Sequence, residues 1–317
     1  MGAAKHNELN MAQRIGFAML WGFCRIVSIT PRWFKFHVLR PIVAIILHIS
    51  GYRRKVVDTN LRNSFPEKSS AELKRIRRAF YNTLAEVMVC TISLAGISSK
   101  NNRDLMVWED IEEHIERNKG RDWIAMAAHY GSWEYFPLIC WDDTECAFMS
   151  VYHPLKNTVF EHFYRRLRRF APNITTVTMA EAVRHYIKTR TPERTTVLGL
   201  ISDQSPVLRA DTEWYRFLNQ TTAFIDGSEK LAMRFHIPVY FIDIERVGYG
   251  RYRGRFIEIF DGKEDIPEGE ITRRYAVELE RMIRRRPELW MWSHKRWKHT
   301  PEKQARKFGI EKKCCRE

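Results

Sequence analysis

The second half of the chain alternates short apolar runs with amphipathic stretches. The apolar runs have the length and residue types of buried strands, and they cover residues 123–128, 146–152, 195–202 and 238–244, with an alternating strand at 255–260. Stretches with helical spacing of apolar residues cover residues 134–141, 157–170, 180–189, 226–235 and 272–286. Strands and helices that alternate in this way form a mostly parallel sheet flanked by helices. The pattern therefore predicts an α/β fold. Residues 226–229, Asp-Gly-Ser-Glu, also predict a capping box at the start of the fourth of these helices.

The N-terminal region has a different pattern. Two apolar runs, 15–29 and 42–47, flank a segment in which aromatic and basic residues alternate. Neither run reaches the roughly 20 unbroken apolar residues of a spanning helix, because Arg25 interrupts the first and Arg40 and Pro41 precede the second. Such runs beside tryptophan and basic residues are typical of a membrane interface. We expect one short span or a monotopic anchor, and the alternative is a helical hairpin buried against the main domain. A secretory signal is not expected, because Glu8 lies in the leader and no clear cleavage site follows.

The pattern divides the chain into three parts. Residues 1–55 form the apolar membrane segment, residues 56–300 the α/β domain, and residues 301–317 a polar basic tail. Early in the second part, residues 58–96 are predicted to be helical, with a turn and cap at 66–70. The helix that follows places apolar residues on one side, namely Leu73, Ile76, Phe80, Leu84, Val87 and Met88. We interpret this region as scaffold.

Charge and cysteine content narrow the function classes. The net charge of +15 favours an acidic partner, such as nucleic acid, an anionic membrane, an acidic carrier protein or a phosphorylated substrate. Nucleic acid is the weaker choice, because no zinc-finger, helix-turn-helix or RNA-binding signature accompanies the basic residues. The six cysteines include no C-x-x-C pair, so neither a zinc site nor a disulfide framework is expected. Cys314 and Cys315 are expected to be free thiols in a reducing compartment.

The stretch from His129 to Glu134 has the clearest chemical signal. It follows the apolar run 123–128, so a buried strand delivers His129 to its carboxyl end, where ligands bind in parallel sheets. Gly131 breaks the strand, and Ser132 is placed to cap a helix whose first turn carries Glu134. A carboxylate there is expected to reach one imidazole nitrogen and leave the other free as a general base. The alternative is a surface polar pair. Asp203 also follows a predicted strand, and no nucleotide-binding glycine loop is present.

Four blocks give the chain a family resemblance over residues 10–300. They are the H-x4-E motif of His129–Glu134, the segment 151–157 (Val-Tyr-His-Pro-Leu-Lys-Asn), the segment 202–204 (Ser-Asp-Gln), and the segment 290–298 (Trp-Met-Trp-Ser-His-Lys-Arg-Trp-Lys). In this order, and behind an apolar leader, they resemble the bacterial lipid A biosynthesis acyltransferases of the lysophospholipid acyltransferase superfamily. Two positions depart from the family pattern: His153 stands where arginine is common, and Trp290 where tyrosine is common.

The resemblance implies a direct acyl transfer. His129 is expected to take the proton of the acceptor hydroxyl, and Glu134 to orient and charge the imidazole. Arg168 is expected to stabilise the oxyanion or hold a phosphate, with Arg166 and Arg169 as alternatives, although these arginines can also be solvated charges. Asp203 is expected to fix Arg168 or bind the glucosamine, and the alternative is a structural ion pair. Ser132 is not a nucleophile, because the G-x-S-x-G elbow is missing. The expected substrate-binding residues are Trp133, Tyr152, Asn157, Arg166, Arg169, Gln204, His294, Arg296 and Lys298.

The same resemblance implies the substrates. The donor is expected to be an acyl thioester of acyl carrier protein, whose acidity suits the net charge, and the acceptor a lipid A precursor or similar glycolipid. Neither a metal nor another cofactor is expected, and the location is the cytoplasmic face of the bacterial inner membrane. The C-terminal block is expected to place Trp292 and Trp297 at the membrane interface and Lys295, Arg296 and Lys298 near phosphates, or else to cap the core. Two rival functions are acyl transfer to another lipid, such as a lysophospholipid or an amino-acid lipid, and non-catalytic binding of anionic lipid or nucleic acid.

Overall fold

Eleven α-helices and ten strands lie within residues 9–99 and 103–316, the part of the chain that the computed structural model describes. Glu8, which the sequence analysis uses against a secretory signal, lies outside the described residues. The helices are α1 Met11–Ile29, α2 Arg32–Phe34, α3 Arg40–Ser50, α4 Arg54–Ser64, α5 Ser70–Ser93, α6 Ile111–Arg117, α7 Thr158–Leu167, α8 Ala182–Thr189, α9 Gly227–Phe235, α10 Glu270–Arg285 and α11 Pro301–Phe308. The strands are β1 Met106–Trp108, β2 Trp123–Ala127, β3 Ala147–Tyr152, β4 Ile174–Thr178, β5 Thr196–Ile201, β6 Trp214–Phe217, β7 Gln220–Ala223, β8 Val239–Gly248, β9 Arg251–Phe260 and β10 Cys315–Arg316.

Seven strands form the main sheet, in the order β1-β9-β8-β2-β5-β3-β4. Strands β8, β2, β5, β3 and β4 run parallel to one another, and β9 pairs antiparallel with β8. All five residues of β2 are buried, as is typical of a parallel strand covered on both faces. The predicted α/β fold with a mostly parallel sheet is therefore confirmed.

The predicted helices are present with two corrections. The stretch predicted as helix 134–141 is a 3₁₀ helix, Trp133–Trp141, which contains Pro137. The proline lacks the N–H that a regular α-helix would use. The capping box predicted at 226–229 is wrong, because Asp226 makes no cap hydrogen bond and pairs with Lys230 at 2.7 Å. The carboxylate of Glu229 is buried instead at the start of α10, where it accepts from the backbone N–H of Gly269 at 2.6 Å.

Scaffold helix α5 begins as predicted. Ser69 and Glu72 form a reciprocal capping box, in which each side chain accepts from the other residue's backbone N–H. Along the helix, Ile76 and Phe80 are buried against the core. Glu86 further along the same helix is also buried, and it makes a bidentate pair with Arg246 of β8.

The N-terminal helices pack on the domain with one side only. Trp21 of α1 lies edge-on to Phe163 of α7, with 6.1 Å between the ring centroids. Helix α2 continues through a π-helical turn, Lys35–Leu39, into α3, and the wider turn accommodates Pro41. Residues 32–50 are thus long and apolar enough for a membrane span by length and composition alone. Apolar side chains at helical spacing are exposed on α1 and α3, namely Ile15, Met19, Phe23 and Ile26, and Ile42, Ile45, Ile46 and Ile49.

The C-terminal segment closes a small second sheet. Strand β10 pairs with β6, which pairs with β7. Helix α11 is held to this sheet by Gln304, whose side-chain oxygen accepts from the Trp214 indole at 2.6 Å. The predicted polar tail therefore folds against the domain. Cys314 is a free thiol, as expected, and the Cys315 thiol donates to the carbonyl oxygen of Arg316 at 3.6 Å.

Candidate active site

Two neighbouring parallel strands deliver the central residues of the site. Ala127 of β2 lies opposite Ile201 of β5, so His129 and Asp203 both follow strand ends at the carboxyl edge of the sheet. Gly131 has a φ of 55°, which turns the chain sharply after the histidine. Its N–H donates to the carbonyl oxygen of Leu289 at 2.9 Å, so the C-terminal segment fixes this turn.

Asp203 holds both the ring and the backbone of His129. Its Oδ1 lies 2.6 Å from His129 Nδ1, and its Oδ2 accepts from the backbone N–H of His129 at 2.9 Å. The indole N–H of Trp290 donates to the same Oδ2 at 2.8 Å. Burial opposes ionisation of this carboxyl, but the charge and hydrogen bonds of His129 and the bond from Trp290 outweigh burial and lower the Asp203 pKa. Asp203 is therefore an ionised, fully partnered carboxylate.

The second imidazole nitrogen of His129 faces a cavity. With the proton on Nδ1 directed at Asp203, the neutral ring leaves a lone pair on Nε2. The side-chain amide nitrogen of Gln204 lies 3.1 Å from Nε2, where it can donate to that lone pair. Trp133 packs edge-on against the ring, with 5.1 Å between centroids. The arrangement supplies one accessible proton acceptor whose orientation is fixed from three sides.

Glu134 does not contact the imidazole, which corrects the sequence expectation. The Arg168 guanidinium donates to both carboxylate oxygens of Glu134, from Nε at 2.8 Å and from Nη2 at 2.6 Å. The 3₁₀ geometry carries Glu134 toward the end of α7, where Arg168 is the C-terminal cap residue. Burial raises the Glu134 pKa, but Arg168, and to a smaller extent the charge of His129, bring it below its ordinary value. Asp203 bonds to His129 and Trp290, and Arg168 bonds to Glu134. Of the two expected roles of Asp203, fixing Arg168 is therefore not observed, and binding the glucosamine stays a prediction.

The cavity beside His129 is about 560 Å³ and has mostly apolar walls. The apolar and aromatic lining residues are Trp133, Phe136, Pro137, Val151, Tyr152, Leu155, Tyr164, Met179, Ile201, Val207, Ile225 and Met291. The polar groups of the wall include His129, Glu134, Arg168 and Gln204. A groove of this character suits a hydrocarbon chain whose reactive end meets the imidazole.

The structure brings only some of the predicted residues to this cavity. Trp133, Tyr152, Arg168 and Gln204 line it. Asn157 caps α7 by accepting from the N–H groups of Val159 and Phe160.

The two alternative arginines lie outside the lining. Arg166 is exposed and stacks over Trp21, with 4.3 Å to the ring centroid. Arg169 is exposed as well. Neither replaces Arg168 at the site, because only Arg168 reaches Glu134.

The tryptophans of the C-terminal block and Arg296 lie inside the protein, whereas Lys295 and Lys298 are exposed. This corrects the predicted interface role of the tryptophans and agrees with the alternative, a segment that caps the core. Trp292 is buried and donates to the carbonyl of Pro287 at 2.6 Å. Trp297 is half-buried and donates to Thr222 Oγ1 at 2.7 Å. Arg296 is buried over the Phe224 ring, and burial lowers its pKa to about 10. His294 and Lys298 line a second cleft, beside the first cavity.

Several site residues escaped the sequence analysis. Glu161 on α7 accepts from the Tyr152 hydroxyl at 2.6 Å and from the Leu155 N–H at 2.8 Å, and so shapes the cavity mouth. The role of Trp290 as a partner of Asp203 was missed too, although its block had been singled out. An acidic residue four positions after Asn157, on a helix otherwise rich in arginine, was the available signal for Glu161.

Comparison with known families identifies the chain. The model of the bacterial lipid A biosynthesis acyltransferase family matches residues 3–299, nearly the whole sequence. A comparison with curated proteins finds no significant match. The family is one of acyltransferases. The chain is a member of it, the bacterial lipid A biosynthesis acyltransferase family.

Proposed function

We propose that the protein transfers a fatty acyl chain from an acyl carrier protein thioester to a hydroxyl group of a lipid A precursor, with His129 as general base. One observation carries this proposal: Asp203 holds Nδ1 of His129, and Nε2 faces an apolar cavity large enough for an acyl chain. Membership of the family supports the reaction class.

Each proton in the reaction has a place. The acceptor hydroxyl displaces the Gln204 amide and gives its proton to His129 Nε2 while its oxygen attacks the thioester carbonyl carbon. The imidazolium that forms is stabilised by the ionised Asp203 at Nδ1. When the tetrahedral intermediate collapses, the C–S bond breaks and the proton on Nε2 passes to the leaving sulfur. No covalent acyl-enzyme is needed, because the thioester is already activated.

Arg168 is the proposed stabiliser of the oxyanion. A guanidinium carries five N–H donors, and Glu134 accepts from two of the nitrogens. Arg168 lines the cavity, so its remaining donors can meet the negative charge that develops on the carbonyl oxygen. Glu134 is then a positioning residue for Arg168 and acts on His129 only through its charge.

We place the protein at the cytoplasmic face of the bacterial inner membrane. The exposed apolar faces of α1 and α3 support this proposal, since both substrates carry hydrocarbon chains and the two helices pack beside α7 and α5, near the cavity. The division into an N-terminal membrane segment (1–55), an acyltransferase domain (56–300) and a basic tail (301–317) remains part of the same proposal.

The test is acyl transfer by purified protein in detergent micelles. Acyl carrier protein loaded with one fatty acid is offered together with an under-acylated lipid A precursor, a lysophospholipid or an amino-acid lipid, and the products are weighed by mass spectrometry. We expect one added acyl chain on the lipid A precursor, lost in His129→Ala and retained in His185→Ala, a control on α8 outside the cavity lining. Acylation of only another lipid would overturn the acceptor, and full activity of His129→Ala would overturn the mechanism.

A further inference from the structure

A second cleft adjoins the catalytic cavity. It is about 620 Å³ and shares one wall with that cavity. The shared residues are His153, Gln204, Ser205, Pro206 and Val207. Because Gln204 also contacts His129, a molecule that fills both spaces would lie across the catalytic imidazole.

The ionisable side chains that line this cleft are all basic. Within the described part of the chain its lining contains no carboxylate, and its ionisable side chains are His153, His294, Lys298, His299, Lys303 and Lys307. Lys298, Lys303 and Lys307 form no ion pair with any carboxylate among the described residues, whereas Lys312 nearby pairs with Glu302. Three uncompensated ammonium groups around one cleft repel each other unless an anion lies between them.

Apart from His153, the ionisable side chains of this cleft come from two segments. His294, Lys298 and His299 come from the C-terminal end of the family match, and Lys303 and Lys307 lie one turn apart on α11, beyond that match. The Lys303 ammonium donates to the carbonyl oxygen of Lys298 at 2.8 Å, which ties the two segments together. Burial first, and then the cations Lys298, Lys303 and Lys307, lower the pKa of His299.

We propose that this cleft binds a phosphate group of a substrate while the acyl chain occupies the neighbouring apolar cavity. The inference rests on the proposed function and adds a subsite to it, with Lys303 and Lys307 as binding residues. Ammonium groups at the rim of a cleft are suited to a phosphate, which has strong acceptor oxygens and carries one negative charge as a diester and nearly two as a monoester.

Two substrates could supply the phosphate group. One is a phosphate monoester on the sugar of the acceptor lipid, and the other is the phosphodiester in the pantetheine arm of the donor. In both cases the phosphate belongs to a molecule that brings a reacting group to the imidazole. The two are separated by removing each phosphate in turn.

The experiment compares charge-removing variants on one helix. The double variant Lys303→Gln/Lys307→Gln is set against Arg306→Gln, which removes an exposed charge of α11 outside the cleft lining. With an acceptor phosphate in the cleft, we expect the double variant to raise KM for the phosphorylated acceptor about tenfold, with kcat nearly unchanged. The rise should be absent with dephosphorylated acceptor, and the charge-conserving variant Lys303→Arg/Lys307→Arg should keep the wild-type KM. If the cleft instead binds the phosphate of the donor, the double variant should raise KM for an acyl-phosphopantetheine and leave KM for an acyl-pantetheine unchanged.

A binding measurement separates this inference from the reaction. Equilibrium binding of the phosphorylated and dephosphorylated lipids in detergent micelles, and of phosphopantetheine in solution, requires no turnover. A protein that transfers no acyl group but loses phosphate-dependent binding in the double variant overturns the proposed function and supports the subsite. Equal KM values and equal binding for the wild type and the double variant, with every phosphorylated substrate, would overturn the subsite.

Discussion

The candidate active site and the region around the β8–β9 hairpin each contain a half-buried arginine paired with a buried glutamate, and each contains a buried or half-buried histidine, but the surroundings of these groups differ. In the hairpin region, Arg246 donates to both carboxylate oxygens of Glu86, at 2.9 and 2.7 Å. The pair of Arg168 with Glu134 has almost the same geometry, at 2.8 and 2.6 Å. Pair geometry alone therefore does not distinguish a structural role from a chemical one.

The surroundings make the distinction. Glu86 also accepts from the Gly250 N–H at 2.9 Å and from the Tyr252 hydroxyl at 3.2 Å, so it joins α5 to the hairpin. The Glu134–Arg168 pair lies on the wall of a cavity, where donors of the guanidinium remain for a ligand. The histidines differ in the same way. His129 has Asp203 at 2.6 Å, whereas His114 lies flat on Phe256, with 3.8 Å between ring centroids, and no described carboxylate bonds to it.

The largest expected effect separates the two histidines. Replacing His129 with alanine removes the proposed base, and such groups contribute about 10²–10⁴-fold to rate. We expect kcat to fall by about 10³ while the protein stays folded, measured by steady-state acyl transfer and circular dichroism. A loss of less than about tenfold would contradict the base role.

Glu86→Gln is expected to act on stability alone. It leaves the half-buried Arg246 without its counter-charge, so the expected loss is somewhat below the cost of about 3–5 kcal/mol for breaking a fully buried pair. Urea unfolding should show that loss, and kcat per folded molecule should stay close to the wild-type value. A large fall in kcat with unchanged stability would reverse the roles assigned to the two regions.

The matched change at the site, Glu134→Gln, is expected to affect activity more than stability. The amide keeps the shape but frees Arg168 from its fixed position, so kcat should fall about 10²-fold. The free energy of unfolding should change by less than in Glu86→Gln, because Glu86 also accepts from the Gly250 N–H and the Tyr252 hydroxyl, bonds that join α5 to the hairpin. Similar results for the two glutamates in both assays would remove the distinction.

The smallest effect concerns pH. Burial first, and then Arg117, lower the His114 pKa from 6.5 to about 4, so the unfolded chain binds a proton more readily than the folded protein does. Stability is then lost as pH falls below 6.5, by about 1.5 kcal/mol between pH 6.5 and pH 5 for this group. His114→Phe should reduce this loss, as measured by urea unfolding at both pH values. An unchanged pH dependence would show that the histidine does not titrate differently in the two states.

The sequence predicted the strands that carry the site, because β2 and β5 are continuous apolar runs. It missed β4, Ile-Thr-Thr-Val-Thr, where threonine on an edge strand hides the apolar alternation. It also missed the short strands β1, β6, β7 and β10, which give too few residues for a pattern.

His129, Arg168 and Asp203 were all singled out from the sequence, but their pairing was not. Which carboxylate meets the imidazole depends on the adjacency of β2 and β5 and on the 3₁₀ turn of Trp133–Trp141. Both are tertiary features that spacing along one chain does not encode. Glu134 was nearest in sequence to the histidine, yet Asp203, 74 positions away, is its partner.

Gly131 is the point where the candidate active site packs against the region of Glu86 and Arg246. A Cβ atom at this position would lie 2.5 Å from the ring of Tyr252, the residue whose hydroxyl bonds to Glu86. Its positive φ also disfavours any side chain. One added methyl group would therefore disturb the support of His129, the proposed base, and the anchor of α5 together. Attempts to retune the enzyme for new acceptors should leave this position unchanged and vary the cavity walls instead.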